Sequence, residues 1–177
     1  GLVASSQWVQ EGRGWGEAGR TPWVPEDIAS MSIGQMVVQV TPIQIAKAYA
    51  AVANGGYLVT PYLTKKNEEF LSDQPRIKLD IDSKHIQLIK NGLRKAVESG
   101  TGVEINRGVT NLPPVSGKTG TAEDWKTGLD HAWFVCFTPS DKSELLVVAF
   151  AQNTPGGGSK HALPMAKEIL KVWNKNN

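Results

Sequence analysis

A single cysteine, Cys136, leaves the chain without any internal disulfide, and one thiol says little about compartment. Histidine is scarce too. His85, His131 and His161 are too scattered, with that one cysteine, for metal-ligand spacing, which argues against a zinc site. Neither sign of charge dominates: 19 basic and 17 acidic side chains leave +2, too even to point to nucleic acid or a membrane surface. Long apolar runs are missing as well. The longest, 48–53 and 145–151, fall far short of the ~18 residues a membrane-spanning helix needs. No basic-then-apolar leader opens the sequence, whose first residue is Gly1. Internal repeats and low-complexity tracts are absent.

What is present is the composition of an ordinary globular chain, 40% hydrophobic and 20% charged. Its 177 residues suit one domain, able to bury roughly 70% of its unfolded surface.

Residues 1–24 stand apart from the rest. Gly12, Gly14, Gly16 and Gly19 are interleaved with Trp8, Trp15 and Trp23 without helical or strand period. Two readings stay open: a flexible arm, or a loop whose tryptophans pack on something upstream of Gly1. From Thr41 the punctuation is clear. An N-cap threonine and Pro42 open a helix with Ile43, Ile45, Ala46, Tyr49, Ala50 and Ala53 on its stripe, and Asn54-Gly55-Gly56 stops it. Residues 57–64 read as a short strand interrupted by Pro61. A second helix starts near Ser83, carries Ile86, Ile89, Leu93 and Val97, and ends at Gly100. After a turn-rich stretch, 115–125, 131–138 and 144–153 are strand candidates, with Pro139-Ser140-Asp141 as a tight turn. A last helix, 161–174, carries Leu163, Ala166, Ile169, Leu170 and Trp173. The short connections predict an antiparallel sheet with helices packed on it, an α+β layer.

The one dense polar run inside a predicted strand is Val115-Ser116-Gly117-Lys118-Thr119-Gly120-Thr121-Ala122-Glu123. Period two puts Lys118 on one face and Thr119 and Thr121 on the other. A ligand touching all three lies along an exposed strand edge, where backbone groups can also bond it. Gly120 lets another backbone come close. An ammonium beside two hydroxyls suits a carboxylate, and a strand N–H can stabilise an oxyanion. On this triplet alone the competing reading, a solvated edge strand whose lysine deters aggregation, is the stronger.

The wider context shifts that balance. Lys-Thr-Gly is one of three motifs of penicillin-binding proteins and serine β-lactamases, beside Ser-x-x-Lys and Ser-x-Asn. Ser32-Ile33-Gly34-Gln35, Val40-Thr41-Pro42-Ile43-Gln44, Ala53-Asn54-Gly55-Gly56, the 117–123 run and His131-Ala132-Trp133-Phe134 follow in family order. The chain thereby resembles the transpeptidase domain of class B penicillin-binding proteins of the elongation type, from about Gly16 to Trp173. Met36 departs from the glycine many members carry there.

The larger departure is that no serine has lysine three residues on or asparagine two residues on. In the family those motifs lie upstream. The resemblance therefore implies the C-terminal portion of a penicillin-binding protein/β-lactamase-like fold: 1–24 an irregular arm, 41–100 a helical part, 113–177 sheet strands and the last helix. It also implies roles. Lys118 favours proton transfer near the absent Ser-x-Asn serine, and the hydroxyls of Thr119 and Thr121 hold the carboxylate of a D-alanyl-D-alanine stem peptide or a penicillin. Thr121 N–H forms half of the oxyanion hole, and Gly120 gives the acyl donor room. Lys118 and Thr121 are thus the expected catalytic residues, with no cofactor or metal. Expected partners are peptidoglycan stem peptides, β-lactam antibiotics, the upstream part of the same domain and the cell-elongation machinery, with no nucleic acid. The family places it on the outer face of the cytoplasmic membrane, anchored by an N-terminal helix outside this chain.

Other residues are read more plainly. His131 is structural rather than a general base, and Trp133, Phe134 and Phe137 pack a strand face. Cys136 is a small core residue. Glu123 and Asp124 belong to a solvated turn. Two other functions compete: a β-lactamase or β-lactam sensor, against which the Gly-Gln and Thr-Pro-x-Gln blocks speak, and a non-catalytic peptide-binding half-domain.

Overall fold

The computed structural model describes residues 25–35, 38–63, 77–124 and 126–176. The tryptophan-rich arm, Met36 and Trp125 lie outside them. The chain forms two compact units, Gly1–Gln44 and Ile45–Asn177.

In the first unit, α1 (Pro25–Ser32) has proline in its first helical position. It closes through Gly34, whose φ of 79° suits glycine, with Gln35 N donating to Ser30 O at 3.0 Å. Nothing in the sequence reading assigned this helix. Further on, Thr41 N donates to Gln44 Oε1 at 2.9 Å while Thr41 Oγ1 accepts from Gln44 N at 3.4 Å. The Thr-Pro-Ile-Gln block is therefore a reciprocal capping box opening α2 (Pro42–Ala53).

In the second unit, α2 stops where expected: Gly55 and Gly56 have φ of 85° and 101°, and Gly56 N donates to Ala51 O at 2.6 Å. Of the strand expected over 57–64, the described residues form only β1 (Tyr57–Leu58), paired with β2 (Ile77–Lys78); 59–63 are not strand and residue 64 lies outside the described residues. Helix α3 (Ser83–Glu98) is capped by Asp82, whose Oδ1 accepts Lys84 N at 2.9 Å. It buries Ile86, Leu93 and Val97 but leaves Ile89 45% exposed, against expectation. At 100° per residue, 86, 90, 93 and 97 form the inner seam and 89 lies well to one side. Lys90 fills the gap, lying half-buried with its Nζ donating to Ala53 O at 3.3 Å.

Three long strands follow: β3 (Ser116–Asp124), β4 (Leu129–Thr138) and β5 (Leu145–Thr154). They form an antiparallel meander in the order β3-β4-β5. On one face Ala132, Phe134 and Cys136 pack with Val147 and Ala149, and over them lie Val97, Ile105 and the seam Ala162, Leu163, Ala166 and Leu170 of α4 (Ala162–Lys175). Each large apolar side chain so buried contributes ~1.5–3 kcal/mol. Ile169, expected in that seam, is instead 47% exposed. Period two sends Phe137 and Leu146 to the opposite face, where they meet Ala53, Leu93, Tyr49 and Val52. An α+β meander with helices on both faces agrees with the expected class.

Candidate active site

β3 is the outer strand of its sheet, and among the described residues no strand pairs with its far edge. In register, Thr119 faces Phe134 and Thr121 faces Ala132, while Lys118 faces Val135. The two threonines thus share the face covered by α4 and Lys118 takes the other, as alternation required. Lys118 is exposed, Thr119 and Gly120 are half-buried and Thr121 is exposed. The Lys118 ammonium bends back over the strand and donates to Thr119 O at 2.7 Å. That carbonyl therefore points away from β4, and alternation along an antiparallel ladder gives Thr121 N–H the same direction. A cation, two hydroxyls and an edge-directed N–H lie within four consecutive residues.

Two further residues hold these hydroxyls, and the sequence reading missed both. Thr101 Oγ1 lies 2.7 Å from Thr119 Oγ1, in the turn that ends α3. Glycines flank it for a reason: a Cβ on Gly100 would come within 2.8 Å of Ala96 O, and one on Gly102 within 2.9 Å of Val97 Cγ1. Gly158 N donates to Thr121 Oγ1 at 3.3 Å from the loop between β5 and α4. The available signals were the Gly100-Thr101-Gly102 bracket and the three consecutive glycines 156–158. The backbone approaching Gly120 is this chain's own. A Cβ on Gly158 would fall 2.6 Å from Gly120 O, and one on Gly120 would lie 3.2 Å from Trp133 Cβ.

The remaining candidates have structural partners. His131 Nδ1 accepts Asn153 N at 3.4 Å, and its ring meets Phe150 edge-on at 5.9 Å. Trp133 stacks at a tilt on Phe150, 4.3 Å between centroids. Asp124 closes the β3–β4 turn, its Oδ1 accepting Lys126 N at 3.0 Å and its Oδ2 accepting Thr127 Oγ1 at 3.0 Å. The Lys126 N–H, chiefly, holds the Asp124 carboxyl below its ordinary range. Burial pushes the Cys136 thiol up to about 12, which keeps it protonated and inert. Ser116, beside the motif, is fully buried, and its hydroxyl donates to Ser140 Oγ at 3.0 Å. Among the described residues no group of three His, Cys, Asp or Glu stands as metal ligands would.

The site is thus a meander whose edge strand carries Lys-Thr-Gly-Thr, closed behind by a helix turn and a glycine loop. Residues 9–171 match the penicillin binding protein transpeptidase domain, and the chain belongs to that family. It is 32% identical over 174 residues to the peptidoglycan D,D-transpeptidase MrdA of Haemophilus influenzae, covering 87% of this chain. A crystal structure of Pseudomonas aeruginosa PBP2 in complex with WCK 5153 superposes with a TM-score of 0.70 at 27% identity, over 97% of this chain and 38% of that one. The complex between PBP2 and MreC from Helicobacter pylori gives 0.72 at 26% identity, over 87% of this chain and 28% of that one. The chain spans 27% of the length of the Haemophilus relative and 27% of a second MrdA, from Acinetobacter baumannii.

Proposed function

We propose that this chain supplies the Lys-Thr-Gly strand of a peptidoglycan D,D-transpeptidase. The nucleophile would come from an upstream Ser-x-x-Lys segment of the same domain, beyond these residues. The observation that carries the reading is the outer edge of β3, with which no strand among the described residues pairs, and the Lys118 ammonium and the Thr119 and Thr121 hydroxyls set along it.

The chemistry assigned to each group follows from charge. The hydroxyls of Thr119 and Thr121 hold the terminal carboxylate of a D-alanyl-D-alanine stem, or that of a penicillin, which fixes the scissile carbonyl against the strand. Attack by the serine oxygen forms the O–C bond and puts negative charge on the carbonyl oxygen. Thr121 N–H stabilises that charge. Collapse breaks the C–N bond, and the proton taken from serine passes to the departing amine. Lys118 favours that transfer electrostatically. The amine of a neighbouring stem then attacks the ester carbonyl: its N–C bond forms, the serine O–C bond breaks, and the amine's proton returns to the serine oxygen, which completes the cross-link. β-Lactams would enter the same route and stop at the acyl stage.

By the same reading the protein works at the outer face of the cytoplasmic membrane, alongside the cell-elongation machinery. The Helicobacter PBP2–MreC complex supports that partner class. A second reading rests on the missing Ser-x-x-Lys and Ser-x-Asn motifs: a half-domain that grips a peptide carboxylate without acylation. Labelling with a reporter penicillin, in a polypeptide joining this chain to its upstream segment, separates the two. A covalent adduct supports the enzyme, and reversible binding alone supports the half-domain.

A further inference from the structure

The loop 155–161 connects β5 to α4, and its Gly157 and Gly158 reach across to the edge strand. It is tied firmly to the helix. Lys160 N and His161 N donate to Gly157 O at 3.1 and 3.3 Å, and Leu163 N donates to Gly158 O at 2.8 Å. Ala162 and Leu163, the first residues of α4, are buried in the main core. The loop's position is therefore set by the core and not by the strand it touches.

The two glycines nearest β3 meet different obstacles. A Cβ on Gly158 would overlap Trp133 O and lie 2.6 Å from Gly120 O and 3.0 Å from Gly120 N, all backbone atoms. A Cβ on Gly157 would overlap Thr121 Oγ1 and lie 3.0 Å from Thr121 Cβ and 3.1 Å from its Cγ2, all on one side chain. Backbone cannot yield without opening the sheet, whereas a threonine can turn about χ1 into another staggered well, taking Oγ1 out of the overlap and leaving only the 3.0 Å contact with its Cβ, which a shift of a few tenths of an ångström relieves. With the loop held by α4, a methyl group at 157 would drive the Thr121 hydroxyl away from the N–H of Gly158.

Resting on the transpeptidase reading above, we infer that Gly157 is a positioning residue. Its missing side chain holds Thr121 in the rotamer that meets Gly158 N–H, and so aims the hydroxyl at the ligand carboxylate. Gly157 touches no reacting atom. It acts through Thr121.

The test is a double-mutant cycle in the complete polypeptide carrying this chain, read as the second-order rate of acylation by a reporter penicillin. Gly157→Ala is expected to lower that rate roughly tenfold, the effect of losing a hydrogen bond to a charged group. Thr121→Ala should do the same. In the Thr121→Ala background, Gly157→Ala should cost less than about twofold, since the group it acts through is gone. With the penicillin methyl ester, which has no carboxylate to grip, Gly157→Ala and the unaltered protein should react alike. Equal losses in both backgrounds, or equal losses with acid and ester, would overturn the inference while leaving the transpeptidase reading in place. Loss of folding by Gly157→Ala that Thr121→Ala does not relieve would overturn it too, because the obstacle would then not be the Thr121 hydroxyl. If the unaltered polypeptide is never acylated, the transpeptidase reading fails, and the inference with it.

Discussion

Thr101 and Thr119 join their hydroxyl oxygens at 2.7 Å, tying the turn after α3 to the edge strand across eighteen residues of sequence. One hydroxyl must donate and the other accept. When Thr119 donates to a carboxylate, Thr101 has to be the donor between them, so the pair is polarised by the ligand. Thr101→Val deletes that donor, whereas Thr101→Ser keeps it. In the complete enzyme the valine variant is expected to acylate about 3- to 10-fold more slowly, and the serine variant to stay near the unaltered rate. Stopped-flow labelling with a reporter penicillin measures both. Equal slowing by serine and valine would remove the hydroxyl pair from the account.

Lys118→Ala should slow acylation more than it weakens the initial complex. A fixed ammonium matters most as charge develops in the transition state. Thr121→Val should weaken both steps, because it deletes a hydroxyl proposed to bind the carboxylate before and during reaction. Rapid-mixing kinetics separate the two parameters, and unchanged kinetics for Lys118→Ala would take the lysine out of the mechanism.

Arg94 anchors the start of the edge strand. Its guanidinium donates to Val115 O at 2.8 Å and pairs with Glu98 at 2.8 Å. Arg94→Ala leaves a part-buried carbonyl without that donor, which is expected to cost about 1–2 kcal/mol in a urea melt. The ion pair adds little to this, since Glu98 is half exposed. A melt unchanged by Arg94→Ala would show that the strand is held elsewhere.

Cys136 sets a pH dependence with a definite sign. Its thiol is pushed from an ordinary 9.0 up to about 12 by burial, so the folded state keeps a proton that the unfolded state releases. The stability this provides is complete below pH 9 and is lost as pH rises from 9 toward 12. Relative to Cys136→Ala, the unaltered chain should therefore lose stability progressively across that window. At pH 8 a disulfide reagent should label Cys136 only after denaturant is added. Rapid native labelling would contradict the buried, protonated thiol.

The parts of this fold that sequence made legible are those governed by local rules. Alternation in 116–124 placed Lys118 opposite Thr119 and Thr121 in facing, and Thr41-Pro42 marked the start of α2. The antiparallel arrangement followed from short connections, and the edge position from a lysine and two threonines on opposite faces of one strand. What stayed hidden was set at a distance. Thr101 and Gly158 reach the motif strand from 18 and 37 residues away, through contacts that exist only once α3 and α4 are packed on the sheet. Ile89 and Ile169 were misplaced because the seams on α3 and α4 are narrower than an apolar count suggests, one of them being completed by the stem of Lys90. The strand at 57–64 was overextended: strand ends at Leu58, and Pro61, which has no N–H for a ladder, stands among the described residues that follow. The Gly156-Gly157-Gly158 run was visible, yet its purpose depends on what lies beneath it.

The central claim is that β3 supplies one side of a catalytic cleft whose nucleophile lies outside these 177 residues. Ser116, the serine nearest the motif, is buried and bonded to Ser140, so it cannot take that role. The direct measurement is intact-mass analysis after long incubation with benzylpenicillin, for this chain alone and for the same chain assembled with its Ser-x-x-Lys segment. The account predicts no adduct on the chain alone, and one penicilloyl group per assembled pair, carried on the serine of the added segment. A stoichiometric penicilloyl adduct on this chain alone would contradict it.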